Sequence, residues 1–392
     1  MSNDSQLLIP DVKTLNVLYN KRPVGVLALT KDSTIAFEYD ADWLLHGFSI
    51  SPFSLPLERR VFVPKYEPFD GLFGVFSDSL PDGWGRFLLD RMLRKHGVDP
   101  YSITTLQRLA IVGSTGMGAL VYEPEAVINT ESADLDLDEL ASECKHLLET
   151  NDASDLDGLF VMGGSSGGAR PKVLTHINGS DWIIKFPAHI DPSDIGLMEY
   201  EYAQTAKRCG IDMPEVRLFK SKRTNGYFGV RRFDRVDGAG AAHGARIRIH
   251  MLSVSALLET SHRIPSLDYK SLMIAALKIT KDFSQVEAMY RLMCFNVQTH
   301  NMDDHSRNFS FIYNDNEGRY VLSPAYDLTY SSGMGGEHAT SVNGKGKDIQ
   351  NEDLVALGEE IGLAHNKCTG ILQDVRHATA GLADKWARAM AA

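Results

Sequence analysis

The chain has 392 residues, 43% of them hydrophobic and 23% charged, with a formal net charge of −11. That length supports a large core divided among two or three subdomains, and the acidic sum argues against a surface given over wholly to nucleic acid. No apolar run approaches the roughly 20 residues needed to cross a bilayer, and the opening MSNDSQLLIPDVK lacks the basic flank and apolar stretch of a signal peptide, so a cytoplasmic location without a membrane partner is expected.

Residues 14 to 40 read as short strands, LNVLYN and PVGVLAL about a Lys21-Arg22 turn, then TIAFEYD. Proline-rich segments follow, from SPFSLPL to VFVPKYEPFDGLFG. SLPDGWGRFLLDRMLRKHG reads as a loop entering an amphipathic helix, with Phe87, Leu88 and Met92 at helical spacing. An acidic tract comes next, with a helix from Leu137 to Leu148, and a first domain boundary is expected in it. Cys144, Cys209, Cys294 and Cys368 lie far apart, form no zinc or redox motif, and are expected as free thiols.

From Gly158 the pattern is that of a small lobe of strands around one helix: GGSSGGARPKVLT, the turn HINGSD, the strand WIIKFP, the helix GLMEYEYAQTAKRCG, then EVRLFKS and YFGVRRFDR. The cluster Gly163 to Gly168 suits a loop whose backbone N–H groups wrap an anion, although a flexible surface loop has the same composition. A two-residue turn at Asn178-Gly179 would set Lys172 opposite Lys185, with Cβ atoms about 5 Å apart. Two ammonium groups so close repel by about 3 kcal/mol at an effective dielectric of 20, unless they splay apart or an anion lies between them. A longer turn would put them out of register. A lysine on such a strand in a kinase pairs with a glutamate of a following helix; Glu201 is the first candidate and Glu199 the second, and only one of the two can face inward.

Beyond about Arg248 the periodicity becomes helical. Val286, Met289, Tyr290, Met293 and Val297 mark one face of a helix that leads into HNMDDHSRN, His300 to Asn308. A strand, a turn, a second strand and AYDL with Asp327 follow, and further helices are expected from Glu352 to Ile361 and after Cys368. Asp303 and Asn308 have the D-x-x-x-x-N spacing of a protein-kinase catalytic loop, with a second aspartate downstream. Phosphoryl transfer needs a carboxylate at the attacking hydroxyl and further oxygen ligands for magnesium. Asp304 misses the spacing by one residue, so Asp303 is the expected base. By itself the motif is also open to a His/Asp metal site of a phosphohydrolase, and Gly163-x-Ser165-x-Gly167 matches the nucleophile elbow of α/β hydrolases.

LNVLYN, FSLPL, LPDGWGR and VGSTGMGALVYEP, then SSGGARPK, WIIKFP, EYEYAQTAKRCGI, RRFDR, RIHMLS, HNMDDHSRN and AYDL, in this order, resemble the HipA family of serine/threonine kinases from bacterial toxin–antitoxin modules. The resemblance implies an α+β fold with a protein-kinase-like bilobal core. An N-terminal β-rich subdomain would span 1–130, an acidic connecting segment 131–157, a small lobe with the glycine-rich loop 158–247, and a mainly helical C-terminal lobe 248–392. It implies ATP and Mg2+ as cofactors, Asp303 as base, and Asn308 and Asp327 as magnesium ligands. Gly167, Gly168, Ala169, Arg170, Pro171, Lys172 and Lys185 would contact phosphates. Arg231, Arg232 and Phe233 would form an adenine-side linker, with His305, Ser306, Arg307, Asn308, Tyr326 and Asp327 lining the nucleotide. Ser165 would be autophosphorylated, with Ser166 as a second acceptor, adding about −1.5 to −2 charges to the loop. A helix-turn-helix antitoxin is implied as partner, with DNA engaged through it. A protein substrate is implied too, in some relatives an aminoacyl-tRNA synthetase. The non-enzyme alternative is a kinase-like corepressor that holds the antitoxin.

Overall fold

The computed structural model describes residues 7–128, 136–150, 153, 155–164, 167–189, 191–237 and 246–391. The chain divides into two compact units: 1–196 with 218–252 and 256–259, and 197–217 with 253–255 and 260–392.

In the first unit, an antiparallel sheet runs in the order Val61–Phe62, Ile35–Tyr39, Arg22–Leu29, Thr14–Tyr19, Leu120–Glu123. Leu15, Val17 and Tyr19 alternate inward along Thr14–Tyr19, as a sheet with one packed face requires. The turn before Arg22–Leu29 lies one residue earlier than the sequence suggests. Asn20 and Lys21 take it with φ of 46° and 69°, the pair of left-handed residues a two-residue hairpin needs, and Arg22 already belongs to the strand. The helix Gly83–Lys95 buries Trp84, Leu88, Leu89, Met92 and Leu93, while Phe87 packs at the margin. Trp182, Ile184 and Val173 from the Lys172–Ile177 and Ser180–Lys185 strands enter the same cluster, as do Leu140, Cys144 and Leu147 from the helix Leu137–Thr150. Phe160 of the helix Leu156–Gly163 belongs to this cluster too, and with Val173 of the strand that begins at Lys172 it flanks the glycine-rich segment.

The second unit is mostly helical. Phe283–Gln298 buries Val286, Met289, Tyr290, Met293 and Val297, the face its periodicity predicts. It ends at Thr299, just before the motif, and the hairpin Ser310–Asn314 with Arg319–Leu322 follows, also as expected. The C-terminal helices are Asn351–Glu360, His365–Thr379, which begins three residues ahead of Cys368, and Leu382–Ala391. All four cysteines are free and buried. Among the described residues no helix is long and apolar enough to cross a membrane.

Candidate active site

The phosphate side of the expected site lies in the first unit. Asn178 and Gly179 form the turn with φ of 50° and 83°, and Lys172 pairs with Lys185 in the predicted register. The two ammonium groups splay. Lys172, buried, donates to the Gly167 carbonyl. Lys185 Nζ stands 5.6 Å from the centroid of Phe228, its neighbour on the strand Tyr227–Arg231, where the ring quadrupole favours a cation. Carbonyl and aromatic face thus relieve the repulsion between the lysines.

Gly168 has φ of 83°; its N–H donates to Asp82 Oδ1 at 2.5 Å, and its carbonyl accepts Trp84 N–H at 2.9 Å. Ala169 is exposed, and the buried Pro171 gives its carbonyl to Phe186 N–H at 2.8 Å. Arg170 forks onto Asp191 at 2.9 and 3.3 Å, so its side chain braces the loop exit. Ser165 and Ser166 lie outside the described residues. The flanking elements are a helix before, Leu156–Gly163, and a strand after, Lys172–Ile177. That order is the reverse of the strand, turn and helix of a nucleophile elbow, and it removes the hydrolase alternative.

Arg231 ends its strand opposite Trp182, and Phe233 is half-buried. The buried Arg232 guanidinium meets Asp234 at 2.9 and 2.7 Å and the Gly116 carbonyl at 3.3 Å. Burial by itself would push the Asp234 carboxyl up; Arg232 and Arg235 beside it and the Gly118 N–H hold it down to about 2. The Arg232 side chain therefore ties RRFDR to the loop GSTGMG.

The second unit carries His300 to Asn308, the candidate catalytic loop. Asp303 is 63% exposed, with Oδ1 3.9 Å from His305 Nε2. Asn308 Nδ2 donates to the Asp303 carbonyl at 2.6 Å, which couples the two ends of the D-x-x-x-x-N motif and turns Asn308 Oδ1 away from that carbonyl. Asp304 is buried. It accepts from Tyr269 Oη at 2.7 Å and Thr340 N–H at 3.1 Å, and lies 2.9 Å from His338 Nδ1; the Thr340 hydroxyl donates to its carbonyl. Asn296 Nδ2 donates to Tyr269 Oη at 2.9 Å and Asn301 Nδ2 to Asn296 Oδ1 at 3.0 Å, which extends the network back into the preceding helix. The two adjacent aspartates thus differ completely: one is a girder and the other is presented to solvent.

Asp327 is half-buried with φ of 54°, in the left-handed region that aspartate enters more readily than most residues other than glycine. Tyr326 Oη donates to the Arg307 carbonyl at 2.7 Å and meets the Ser310 hydroxyl, which fixes the approach to Asp327. His305 Nδ1, Ser306 Oγ and Thr329 Oγ1 are buried polar atoms with no protein partner, and such atoms beside a catalytic loop suit a bound polar ligand. The Asn308 amide oxygen and the Asp327 carboxylate are hard oxygen donors of the kind magnesium takes, one or two per ion beside phosphates and water. Among the described residues no three His, Cys, Asp or Glu side chains converge on one point, and Asp304 is committed to Tyr269 and Thr340, so HNMDDH does not form the His/Asp metal cluster of the phosphohydrolase alternative.

Glu201 departs from its expected role. Its carboxylate takes Lys385 Nζ at 2.7 and 2.6 Å and Trp386 Nε1 at 3.0 Å, docking the last helix onto Ile195–Arg208. Residues two apart point to different helix faces, and Glu199 is the one of the pair that is buried.

Two family models match the chain, the HipA N-terminal domain over residues 15–123 and the HipA-like C-terminal domain over residues 164–382. The chain belongs to the HipA family. Its structure is similar to that of HipA from Shewanella oneidensis MR-1, solved with HipB and operator DNA, at a TM-score of 0.70 and 20% identity over 94% of this chain and 90% of that one. A proinflammatory kinase of Helicobacter pylori, CtkA, matches at a TM-score of 0.36 and 14% identity, over 55% of this chain and 89% of that one. No curated protein sequence matches. The α+β class expected from the sequence stands, and the likeness to the Shewanella protein shows a HipA-type fold.

In this HipA-family chain, sequence reasoning missed Asp82, Tyr269 and His338 as supports of the site. Asp82 carried a helix-start signal, but nothing local tied it to a loop 86 residues away. Tyr269 and His338 carried none.

Proposed function

We propose that this HipA-family chain is a Mg-ATP-dependent serine/threonine protein kinase acting as the toxin of a toxin–antitoxin module. The observation that carries the reading is the contrast at the catalytic loop. Asp303 is exposed with Asn308 locked to its carbonyl, while Asp304 is buried and bonded throughout. Asp303 takes the proton from a serine or threonine hydroxyl as that oxygen attacks the γ-phosphorus, and ADP leaves with the β–γ bridging oxygen. Asn308 and Asp327 would hold magnesium, which when bound would supply positive charge against the charge that builds on the phosphates. Lys172, Lys185 and the Gly167–Gly168 backbone supply cationic and N–H donors to the phosphates, and Glu199 replaces Glu201 as the lysine-pairing candidate. Arg231 to Phe233 serve the adenine side, Arg232 through its backbone, and His305, Ser306, Arg307 and Tyr326 line the nucleotide. Ser165, or Ser166, is the site of self-phosphorylation, whose added charge would compete with ATP for the loop.

The Shewanella HipA structure is a complex with HipB and operator DNA, which supports a helix-turn-helix antitoxin as partner here, with DNA reached through it. The test is incubation of the purified chain with γ-labelled ATP and magnesium, followed by phosphopeptide mapping. Label on the chain itself or on an added protein, lost in Asp303→Asn, is the expected result. Equal incorporation by wild type and variant would sink the assignment, and full antitoxin binding without any transfer would favour the corepressor alternative.

A further inference from the structure

Asp82 is the N-cap of the helix Gly83–Lys95. Aspartate at that position ordinarily accepts from N–H groups two and three residues on and stabilises its helix. Here its side chain makes no capping bond. Oδ1 reaches instead to Gly168 N–H at 2.5 Å, and Trp84 N–H donates to the Gly168 carbonyl at 2.9 Å, so one peptide of the glycine-rich loop is gripped on both sides. Gly83 permits the approach: its φ is +44°, and a Cβ there would stand 2.4 Å from the Gly168 oxygen. Lys172 donates to the Gly167 carbonyl next door. Two groups suited to a polyphosphate, a loop N–H and a buried ammonium, are thus engaged by a carboxylate and a carbonyl of the same unit.

We propose that Asp82 is an internal competitor for the phosphate position of this loop, a carboxylate that a nucleotide phosphate must displace from Gly168 N–H and that thereby sets nucleotide affinity. The inference rests on the kinase reading above. A carboxylate already occupies the donor that an incoming phosphate would use, and two anions cannot share one N–H. The loop is exposed here, yet two anions in contact still repel strongly enough for relief of that repulsion to change affinity by about tenfold. Asp82 touches neither the reacting hydroxyl nor the γ-phosphorus, so it is a positioning residue and acts on binding.

The experiment is calorimetric titration of the full chain with MgADP, and separately with inorganic triphosphate, for wild type, Asp82→Asn and Asp82→Ala. Both variants are expected to bind both ligands about tenfold more tightly, with a gain that shrinks as salt rises. A purely structural brace gives the opposite pattern: Ala weakens binding and Asn, which keeps the size and the accepting oxygen, restores it to the wild-type value. That pattern, or equal affinity in all three proteins, overturns the inference while leaving the kinase reading in place. If the Ala variant does not fold, the Asn variant decides by the same criterion. No nucleotide binding by any of the three folded proteins overturns the kinase reading and this inference together.

Discussion

In the lysine hairpin the decisive contacts are local: a turn of two left-handed residues, Asn178 and Gly179, sets every pairing from Ile177 with Ser180 to Lys172 with Lys185. In the catalytic loop they come from far along the chain. Asp304 is held by Tyr269, 35 residues before it, and by His338 and Thr340, 34 and 36 residues after it. A charged pair can be placed by turn chemistry alone, because strand register follows from loop length. The choice between two adjacent aspartates as the proposed base cannot, because only burial distinguishes the two.

The sharpest way to break that comparison is to exchange the roles of the aspartates. Asp303→Asn is expected to lower phosphoryl transfer by at least about 100-fold and to leave the unfolding midpoint in urea unchanged. Asp304→Ala is expected to cost about 3 kcal/mol of stability in the same urea series, because Tyr269 Oη and Thr340 N–H lose a buried acceptor. If both variants lose activity at full stability, the division of labour is wrong.

The first unit has long-range anchors of its own, and one of them titrates. His250 Nε2 lies 2.8 Å from the Ile50 carbonyl, and burial depresses its pKa from 6.5 to about 4 despite that bond. A depressed folded-state pKa gives stability that is fully present above the unfolded value of 6.5 and is lost as pH falls through about 4. Between pH 7 and 4 this amounts to about 3 kcal/mol, read as a falling unfolding free energy. His250→Gln should flatten that slope, and an unchanged slope would remove His250 as its source.

Smaller effects test the local half. Gly179→Ala meets no atom within 4 Å, so its cost is the strain of φ +83° alone, about 1 kcal/mol in thermal unfolding. A much larger loss would mean that the turn is held by more than its own conformation. Glu201→Gln is expected to cost under about 1 kcal/mol and to leave transfer intact, whereas Glu199→Gln lowers transfer. The reverse order in a labelled-ATP assay would reinstate Glu201.

Much of the fold was legible beforehand where its cause is local. The buried face of Phe283–Gln298 follows from helical periodicity and the Lys172–Lys185 register from an Asn-Gly pair, and the hairpin after Asn308 was expected as strand, turn and strand. The Lys21-Arg22 turn was misplaced by one residue because Asn20, a residue tolerant of positive φ, was counted in the strand. The contact of Glu201 with Lys385 and Trp386 was not foreseen, because both glutamates lie on one helix and a sequence does not say which face the last helix covers.

From sequence alone came the order of the motifs, the Asp303 to Asn308 spacing and the pairing of the two lysines, all consequences of covalent distance and turn geometry. Tertiary structure decided the rest. Asp304 became a buried support, Arg170 and Arg232 turned to Asp191 and Asp234, and Asp82 came to hold Gly168. The physical reason is common to all of them: a charged side chain taken partly or wholly out of water must find a partner, and which partner lies within reach is set by how distant segments pack.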